Sequence, residues 1–397
     1  MRLDTVADTS LNIAPACVND YRELARKRLP RQFFDYIDGC SYQEKTGKNN
    51  LQAFDAVQLK QRVLRDVSHI DMSTQFLNKT LDLPIILAPV GLTGCFARRG
   101  EVQALKAANK AGVPFCLSTV GICSIEELQQ AATQPFWFQL YVIKDRKFCI
   151  RLLERAKAAG CDTLVFTVDL PILGERYRDV RNGLSGAHSI SGNLRRAWDI
   201  ISHPKWLWDV PITGKPLSFG NLQEAVPDAT GLSDFKGWVD DQFDPSISWQ
   251  DLDWIRDHWH GNIILKGILD ADDAKQAVAI GADAIVVSNH GGRQLDGAPS
   301  TLSVLPEISK AVNGQLQVIV DGGIRSGLDV VKAIALGADA CMIGRAWSFA
   351  LAARGEAGVS HILDIMKDEM RIAMSLTGVN KVSDINSEVI FDNLSHK

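Results

Sequence analysis

The sequence predicts an α/β protein: a (β/α)8 TIM barrel with an N-terminal helical segment and a long insertion after the fourth strand. Three observations predict it. A phrase of small residues, glycine and a β-branched run recurs along the chain, eight short runs are apolar throughout, and most neighbouring runs are joined by segments of helical apolar spacing. The phrase reads Ala158-Ala159-Gly160-Cys161-Asp162 before the run at 163–168, Ile280-Gly281-Ala282-Asp283 before 284–288, and Leu336-Gly337-Ala338-Asp339 before 340–343. Each copy predicts a helix ending at glycine, which tolerates a left-handed cap, with a strand after it. Unbroken apolar runs predict strands buried on both faces, as in a parallel sheet.

In chain order the strands are expected at 84–88, 114–118, 136–141, 163–168, 262–266, 284–288, 316–320 and 340–343. Helices are expected between them at 101–111, 146–159, 271–280 and 327–336. An open doubly wound sheet is the competing architecture. It calls for G-x-G-x-x-G after its first strand, and Pro89-Val90-Gly91-Leu92-Thr93-Gly94 lacks that pattern. The chain reads as one domain, 1–397. Residues 1–80 form the N-terminal segment, with helical patterns at Val18–Arg28 and 31–37. The barrel fills 81–354 with its insertion at 178–246, and a C-terminal helix and tail occupy 355–397.

Composition narrows the function. With 397 residues, 46% apolar and 23% charged, the chain has ample material for a core, which excludes disorder, collagen and coiled coil. Its net charge of −4 lacks the basic balance of a nucleic-acid binder. Eight scattered cysteines without a C-x-x-C pair read as reduced thiols. No run approaches the ~18 apolar residues of a spanning helix, and the start lacks a signal peptide's apolar stretch. A cytoplasmic protein, at most lying on a membrane, is expected. The insertion bears on that choice: Arg195, Arg196, Trp198, Trp206 and Trp208 crowd into 195–208, the composition of a helix at headgroup depth. A lid helix or an oligomer contact would use the same residues. The histidine spacing suits no metal cage, and the chain has neither a P-loop nor a Gly-x-Ser-x-Gly elbow.

Chemistry in such a barrel sits at the C-terminal ends of the strands. Here those ends carry Ser118-Thr119, Gln139 with Tyr141, Thr167 with Asp169, Lys266, Ser288-Asn289-His290, Asp321 and Gly344-Arg345. Polar loop starts explain some of these but explain poorly a lysine that closes an apolar strand. The sharpest stretch is Ser288-Asn289-His290-Gly291-Gly292-Arg293-Gln294-Leu295-Asp296. Its imidazole and guanidinium, in a loop loosened by two glycines, can meet on one small substrate. Arginine grips a carboxylate with a two-pronged fork, and histidine takes a proton near neutral pH. Asp321-Gly322-Gly323-Ile324-Arg325 follows the seventh strand and Gly344-Arg345 the eighth, the two loops where this architecture binds phosphate. A ligand bearing a monophosphate is expected there.

These residues resemble those of the FMN-dependent 2-hydroxy-acid oxidase and dehydrogenase family, over essentially the whole chain. The most specific matches are the 288–296 stretch, Phe138-Gln139-Leu140-Tyr141, Thr167-Val168-Asp169, Asp321-Gly322-Gly323-Ile324-Arg325 and Phe34-Asp35-Tyr36. Ala88-Pro89-Val90-Gly91, Ala97-Arg98-Arg99-Gly100-Glu101 and Asp244-Pro245-Ser246-Ile247-Ser248-Trp249 look like the bacterial respiratory branch that oxidises L-lactate. The resemblance implies FMN at the barrel mouth and oxidation of an L-2-hydroxy acid, L-lactate, to a 2-oxo acid. It also implies a quinone or cytochrome as electron acceptor, a peripheral place on the cytoplasmic face of the inner membrane, and a homotetramer.

By matching motif, His290 would be the base and Asp169 would orient it. Arg293 and Arg176, assisted by Tyr36, would hold the substrate carboxylate, and Tyr141 would bond the hydroxyl or developing carbonyl. Ser118, Gln139, Thr167, Lys266 and Ser288 would contact the flavin, where an ammonium at Lys266 suits its electron-rich edge. Asp321, Gly322, Gly323, Arg325, Gly344 and Arg345 would hold the phosphate. Val120 stands where plant-type oxidases often carry a large aromatic, which argues against long-chain substrates and direct use of O2. Whether His290 takes the hydroxyl proton or the α-proton stays open at this point. So do an oxidase that releases peroxide and a phosphate-binding barrel without redox activity.

Overall fold

The computed structural model describes residues 14–185, 189–226 and 242–391. The chain enters through α1 (Val18–Arg28), α2 (Arg31–Asp38) and α3 (Lys45–Ala56). A hairpin that the helical reading of this segment missed comes next, β1 (Thr74–Phe76) paired antiparallel with β2 (Lys79–Leu81). Its two turn residues, Leu77 and Asn78, both have positive φ, as a two-residue hairpin turn requires.

Eight parallel strands follow, at the eight expected places: β3 (Ile85–Leu87), β4 (Cys116–Ser118), β5 (Trp137–Leu140), β6 (Thr163–Thr167), β7 (Asn262–Ile268), β8 (Ala284–Val287), β9 (Gln317–Val320) and β10 (Ala340–Ile343). From β4 to β10 each pairs with the next, β10 pairs back with β3, and the parallel bridge Leu87–Phe115 links β3 to the residue before β4. The sheet closes into a barrel. Helices cover it between strands: α4 (Gly100–Lys110), α5 (Ile125–Ala131), α6 (Arg146–Ala158), then helices at Ala271–Ala279, Thr301–Val312 and Gly327–Ala335. A long helical run, Arg345–Thr377, breaks at Arg354 and Gly355 and packs against α1 and α4.

The recurrent phrase now has a physical reason. Gly160, Gly281 and Gly337 all sit at positive φ where their helices end. In the second and third copies the aspartate that follows turns toward the strand next door. Asp283 Oδ2 accepts from the Ile263 N–H at 2.8 Å and Asp339 Oδ2 from the Val318 N–H at 2.7 Å. Each carboxylate therefore satisfies a backbone donor at the base of the barrel.

Strand side chains alternate between helix layer and barrel interior. Ile86, Cys116, Trp137, Val165, Ile264, Val286, Ile319 and Met342 fill the interior, and Phe76 and Leu81 of the hairpin join them from below. Two residues further along seven of these strands stand Ser118, Gln139, Thr167, Lys266, Ser288, Asp321 and Gly344. The polar strand ends are thus one more layer of the barrel interior.

The insertion contributes α7 (Tyr177–Asn182), α8 (Ile190–Ile201) and α9 (Pro204–Leu207). On α8, Ile190, Leu194, Trp198 and Ile201 are all exposed. One member of the expected interfacial patch must be corrected. Trp206 is 4% exposed, against 73% for Trp198 and 65% for Trp208. Its Nε1 donates to the Cys95 carbonyl at 2.8 Å and its ring lies 5.1 Å from that of Phe33, so the first turn after Pro204 faces the body. Asp199 and Asp209 also face inward, Asp199 accepting from the Arg31 N–H at 2.7 Å and Asp209 pairing with Arg28 at 2.6 Å. Among the described residues no helix is long and apolar enough to cross a membrane.

Candidate active site

A cavity at the C-terminal mouth has Lys266, Asp321 and Gly344 of the polar layer in its floor, with Tyr36, Gly91, Tyr141, His290 and Arg325 around it. Several floor atoms are buried without a partner in the protein: Gln139 Nε2, Thr167 Oγ1, Asp169 Oδ2 and Asp321 Oδ1. Gln139 is oriented by its other end, where Oε1 accepts from Ser118 Oγ at 3.1 Å. Lys266 Nζ bonds Ser288 Oγ and Asp321 Oδ2, both at 2.9 Å. An ammonium has three donors, so one is left for the cavity. Burial works against this charge, but Asp321 and then Asp169 outweigh it and hold the lysine pKa above its usual value.

His290 follows β8, and its Nδ1 lies 2.9 Å from Asp169 Oδ1, which follows β6. Burial disfavours the Asp169 carboxylate, yet His290 and Lys266 overcome it and hold its pKa below the ordinary carboxylate range. An ionised carboxylate only accepts, so the proton between them sits on Nδ1 and the Nε2 lone pair is free to act as a base. His290 has φ +57, with Gly291 at +63 and Gly292 at +76. A left-handed histidine is sterically disfavoured and persists because its surroundings over-determine it.

Those surroundings overturn the expectation of a loosened loop. Asn289 and Asn50 exchange two amide hydrogen bonds of 2.8 Å, and Asn289 Oδ1 also accepts from the Gly292 N–H at 3.1 Å. The Ser41 N–H donates to the Gly292 carbonyl at 2.9 Å. The glycines serve the backbone path, and the loop is pinned. Gln294 adds a staple: Nε2 donates to the Asp169 and Ile172 carbonyls at 2.8 and 3.0 Å, and Oε1 accepts from the Gly174 N–H at 3.0 Å. Asn50, Asn289 and Gln294 had no assigned role in the sequence, because their partners lie 120 residues or more away.

Arg293 donates to the carbonyls of Tyr36 and Gly39 at 2.5 and 3.0 Å, and its guanidinium lies 4.8 Å from the centre of the Tyr36 ring. Arg176 approaches the same ring at 5.4 Å and pairs with Asp179 at 3.5 Å. Burial and then the like charge of Arg176 push the Arg293 pKa down to about 10. Two guanidiniums with too little negative charge make an anion site. Tyr141 lies nearby, its pKa raised by burial and then by Asp169, so its phenol keeps its proton.

At the other end of the cavity Arg325 is half-buried, donates NH1 to its neighbour's carbonyl, Ile324 O, at 2.8 Å, and has its pKa pushed down to about 10 by desolvation and Arg345. Arg345 is more fully used. Four of its five N–H groups reach Ile37 O, Gly291 O, Gly39 O and Cys40 Sγ at 2.7–3.1 Å. The Cα of Gly323 is so close to α3 that a Cβ there would lie 2.5 Å from Asn50 O. The cavity therefore offers unpaired donors at the floor, a cation with a free donor, and a half-buried guanidinium at one end. That combination fits a polar ring system carrying a phosphate.

Residues 25–392 match the FMN-dependent dehydrogenase family, and the chain belongs to it. FMN is its cofactor. An L-lactate dehydrogenase of Acinetobacter baumannii is 54% identical over 372 residues, spanning 94% of this chain and 96% of that protein. One of Ectopseudomonas mendocina is 53% identical over 371 residues, with 94% and 97% covered. Among solved structures, the monotopic membrane protein (S)-mandelate dehydrogenase superposes with a TM-score of 0.89 at 35% identity, covering 96% of this chain and all of that one. Mandelate oxidase follows with a TM-score of 0.80 at 36% identity, with 95% and 98% covered.

Proposed function

We propose that the protein oxidises L-lactate to pyruvate, with His290 as the base, and passes the electrons to a respiratory acceptor, a quinone or a cytochrome. One observation carries this reading: the His290–Asp169 pair stands beside two under-neutralised guanidiniums at the mouth of a cavity suited to FMN. The similarity to L-lactate dehydrogenases over nearly the whole chain supports the choice of acid.

FMN, when bound, supplies the acceptor for the two electrons that leave the carbinol. The rest is the work of this chain. Arg293 and Arg176 take the carboxylate, which relieves their mutual repulsion, while the Tyr36 ring backs both guanidiniums. Tyr141 keeps its proton and donates a hydrogen bond to the substrate oxygen. His290 accepts a proton at Nε2, and Asp169 stabilises the imidazolium that results. Ser118, Gln139, Thr167, Lys266 and Ser288 are assigned to the ring system, Asp321 to the floor of the cofactor site, where it holds Lys266, and Gly322, Gly323, Arg325, Gly344 and Arg345 to the phosphate.

The exposed face of α8 together with Trp208 is assigned to a lipid surface, placing the enzyme peripherally on the cytoplasmic face of the inner membrane. The likeness to a monotopic membrane protein supports this, and the family resemblance implies a homotetramer. The test is an anaerobic spectrum of the purified holoenzyme. L-lactate should bleach the flavin absorbance and D-lactate should leave it unchanged; an unbleached flavin with L-lactate overturns the reading.

A further inference from the structure

The cavity at the barrel mouth opens into a second and larger one. The outer chamber has a volume of about 430 Å³, and Tyr36, Val120, Tyr141, His290 and Arg293 line both. Away from this shared wall the lining is mostly apolar, with Phe33, Leu92, Leu184, Ile200, Phe219 and Phe243, interrupted by Gln32, Asp179 and Arg196. A three-carbon acid gripped at Arg176 and Arg293 leaves most of that volume unexplained, since a chamber within the ~300–1,000 Å³ range encloses far larger ligands. Part of the chamber wall is α8. Ile200 lines the chamber, while Ile190, Leu194, Trp198 and Ile201 of the same helix are exposed outside it. One helix thus links an apolar outer surface to a chamber that ends at His290.

We propose that this chamber is the docking site of the second substrate, an apolar acceptor of the quinone class, with Leu184, Ile200 and Phe219 selecting for it. The inference rests on the lactate-oxidising function proposed above and decides between its two acceptor classes. A protein acceptor docks on an outer surface and has no use for an apolar chamber. The overall exchange balances. The hydroxy acid loses its hydroxyl proton, its α-hydrogen and two electrons in all to become the 2-oxo acid; the quinone gains two electrons and two protons on its oxygens to become the quinol. Both substrates reach the same wall, so the 2-oxo acid leaves before the quinone enters and the two act in turn.

The test uses holoenzyme in detergent, which removes membrane attachment from the measurement. Leu184→Trp and Ile200→Trp narrow the chamber. Flavin reduction by L-lactate and reoxidation by ferricyanide should stay within about twofold, while reoxidation by a short-chain ubiquinone homologue falls about tenfold or more. Separately, an azido-substituted short-chain quinone photolysed on the oxidised holoenzyme should label peptides carrying Leu184, Ile200, Phe219 or Phe243, and excess parent quinone should suppress the label. Unchanged quinone reoxidation, an equal loss with ferricyanide, or labelling confined to other segments overturns the proposal. The labelling needs no lactate, so it reads the chamber independently of whether L-lactate bleaches the flavin, the result on which the proposed function stands.

Discussion

The barrel mouth and the insertion treat side chains in opposite ways. At the mouth, His290, Asp169, Gln294 and Arg293 are each tied by hydrogen bonds to residues from distant parts of the chain. What stays unpaired there faces the cavity. In the insertion two polar groups of α8 turn inward, Arg196 to the Gly183 carbonyl at 3.0 Å and Asp199 to Arg31, and four large apolar side chains, Ile190, Leu194, Trp198 and Ile201, are left outside. A site that must place a proton acceptor near a reacting bond needs over-determined positions. A surface that meets a lipid phase needs apolar area and little fixed geometry.

The comparison breaks first at His290. His290→Gln keeps size and polarity but removes the base, so L-lactate-driven flavin reduction should fall by about 10²–10⁴-fold. FMN should remain bound, because the floor and phosphate contacts are untouched, and the protein should elute yellow from gel filtration. Reduction near the wild-type rate would show that another group takes the proton.

A pair of tryptophan substitutions separates the two regions next. Trp206→Ser opens a hole against Phe33 and strands the Cys95 carbonyl, and should destabilise the protein by about 3–5 kcal/mol in denaturant titration. Trp198→Ser with Trp208→Ser should change stability by no more than about 0.5 kcal/mol each, since both rings are solvent-exposed. It should nevertheless move the enzyme from the membrane fraction to the supernatant. Retention on membranes by that double variant would take the outer face of α8 out of the lipid contact.

Arg325 sharpens the contrast between stability and function within the mouth. Desolvation and the like charge of Arg345 push its pKa down to about 10 while no phosphate faces it. Arg325→Met removes the charge at similar volume, so FMN-free protein should gain stability while FMN binding weakens. Thermal melts with and without FMN read both signs. A loss of stability in the FMN-free protein would mean that the guanidinium already has a partner there.

These regions also differ in how far the sequence discloses them. The eight strands are legible because buried parallel strands write unbroken apolar runs, and the polar strand ends are legible because a two-residue period continues the interior layer past the apolar ones. The pinning of the His290 loop is not legible. It depends on Asn50 meeting Asn289 across 239 residues, and two adjacent glycines read locally as freedom when they in fact serve a left-handed path. Trp206 fails for another reason. In a four-residue helix, composition does not say which way a tryptophan points, and only the packing against Phe33 and Cys95 decides it.

Gln294 tests the mouth's over-determination at its smallest expected effect. Its amide holds the backbone from Asp169 to Gly174 at three points, and that segment carries Asp169 at one end and leads to Arg176 at the other. Gln294→Leu removes all three bonds; Gln294→Glu keeps the acceptor for the Gly174 N–H and loses both donations to the carbonyls. If the donations position Asp169 against His290, the two variants should lose kcat alike, by about tenfold, the equivalent of one or two hydrogen bonds. Oxalate affinity should then stay within about twofold, because Arg293 is held separately by Tyr36 and Gly39. A residue that only supported the fold would lower the melting temperature and leave kcat unchanged. If Glu restores kcat where Leu does not, the Gly174 contact carries the effect, and the staple acts on the approach to Arg176 instead of on the base.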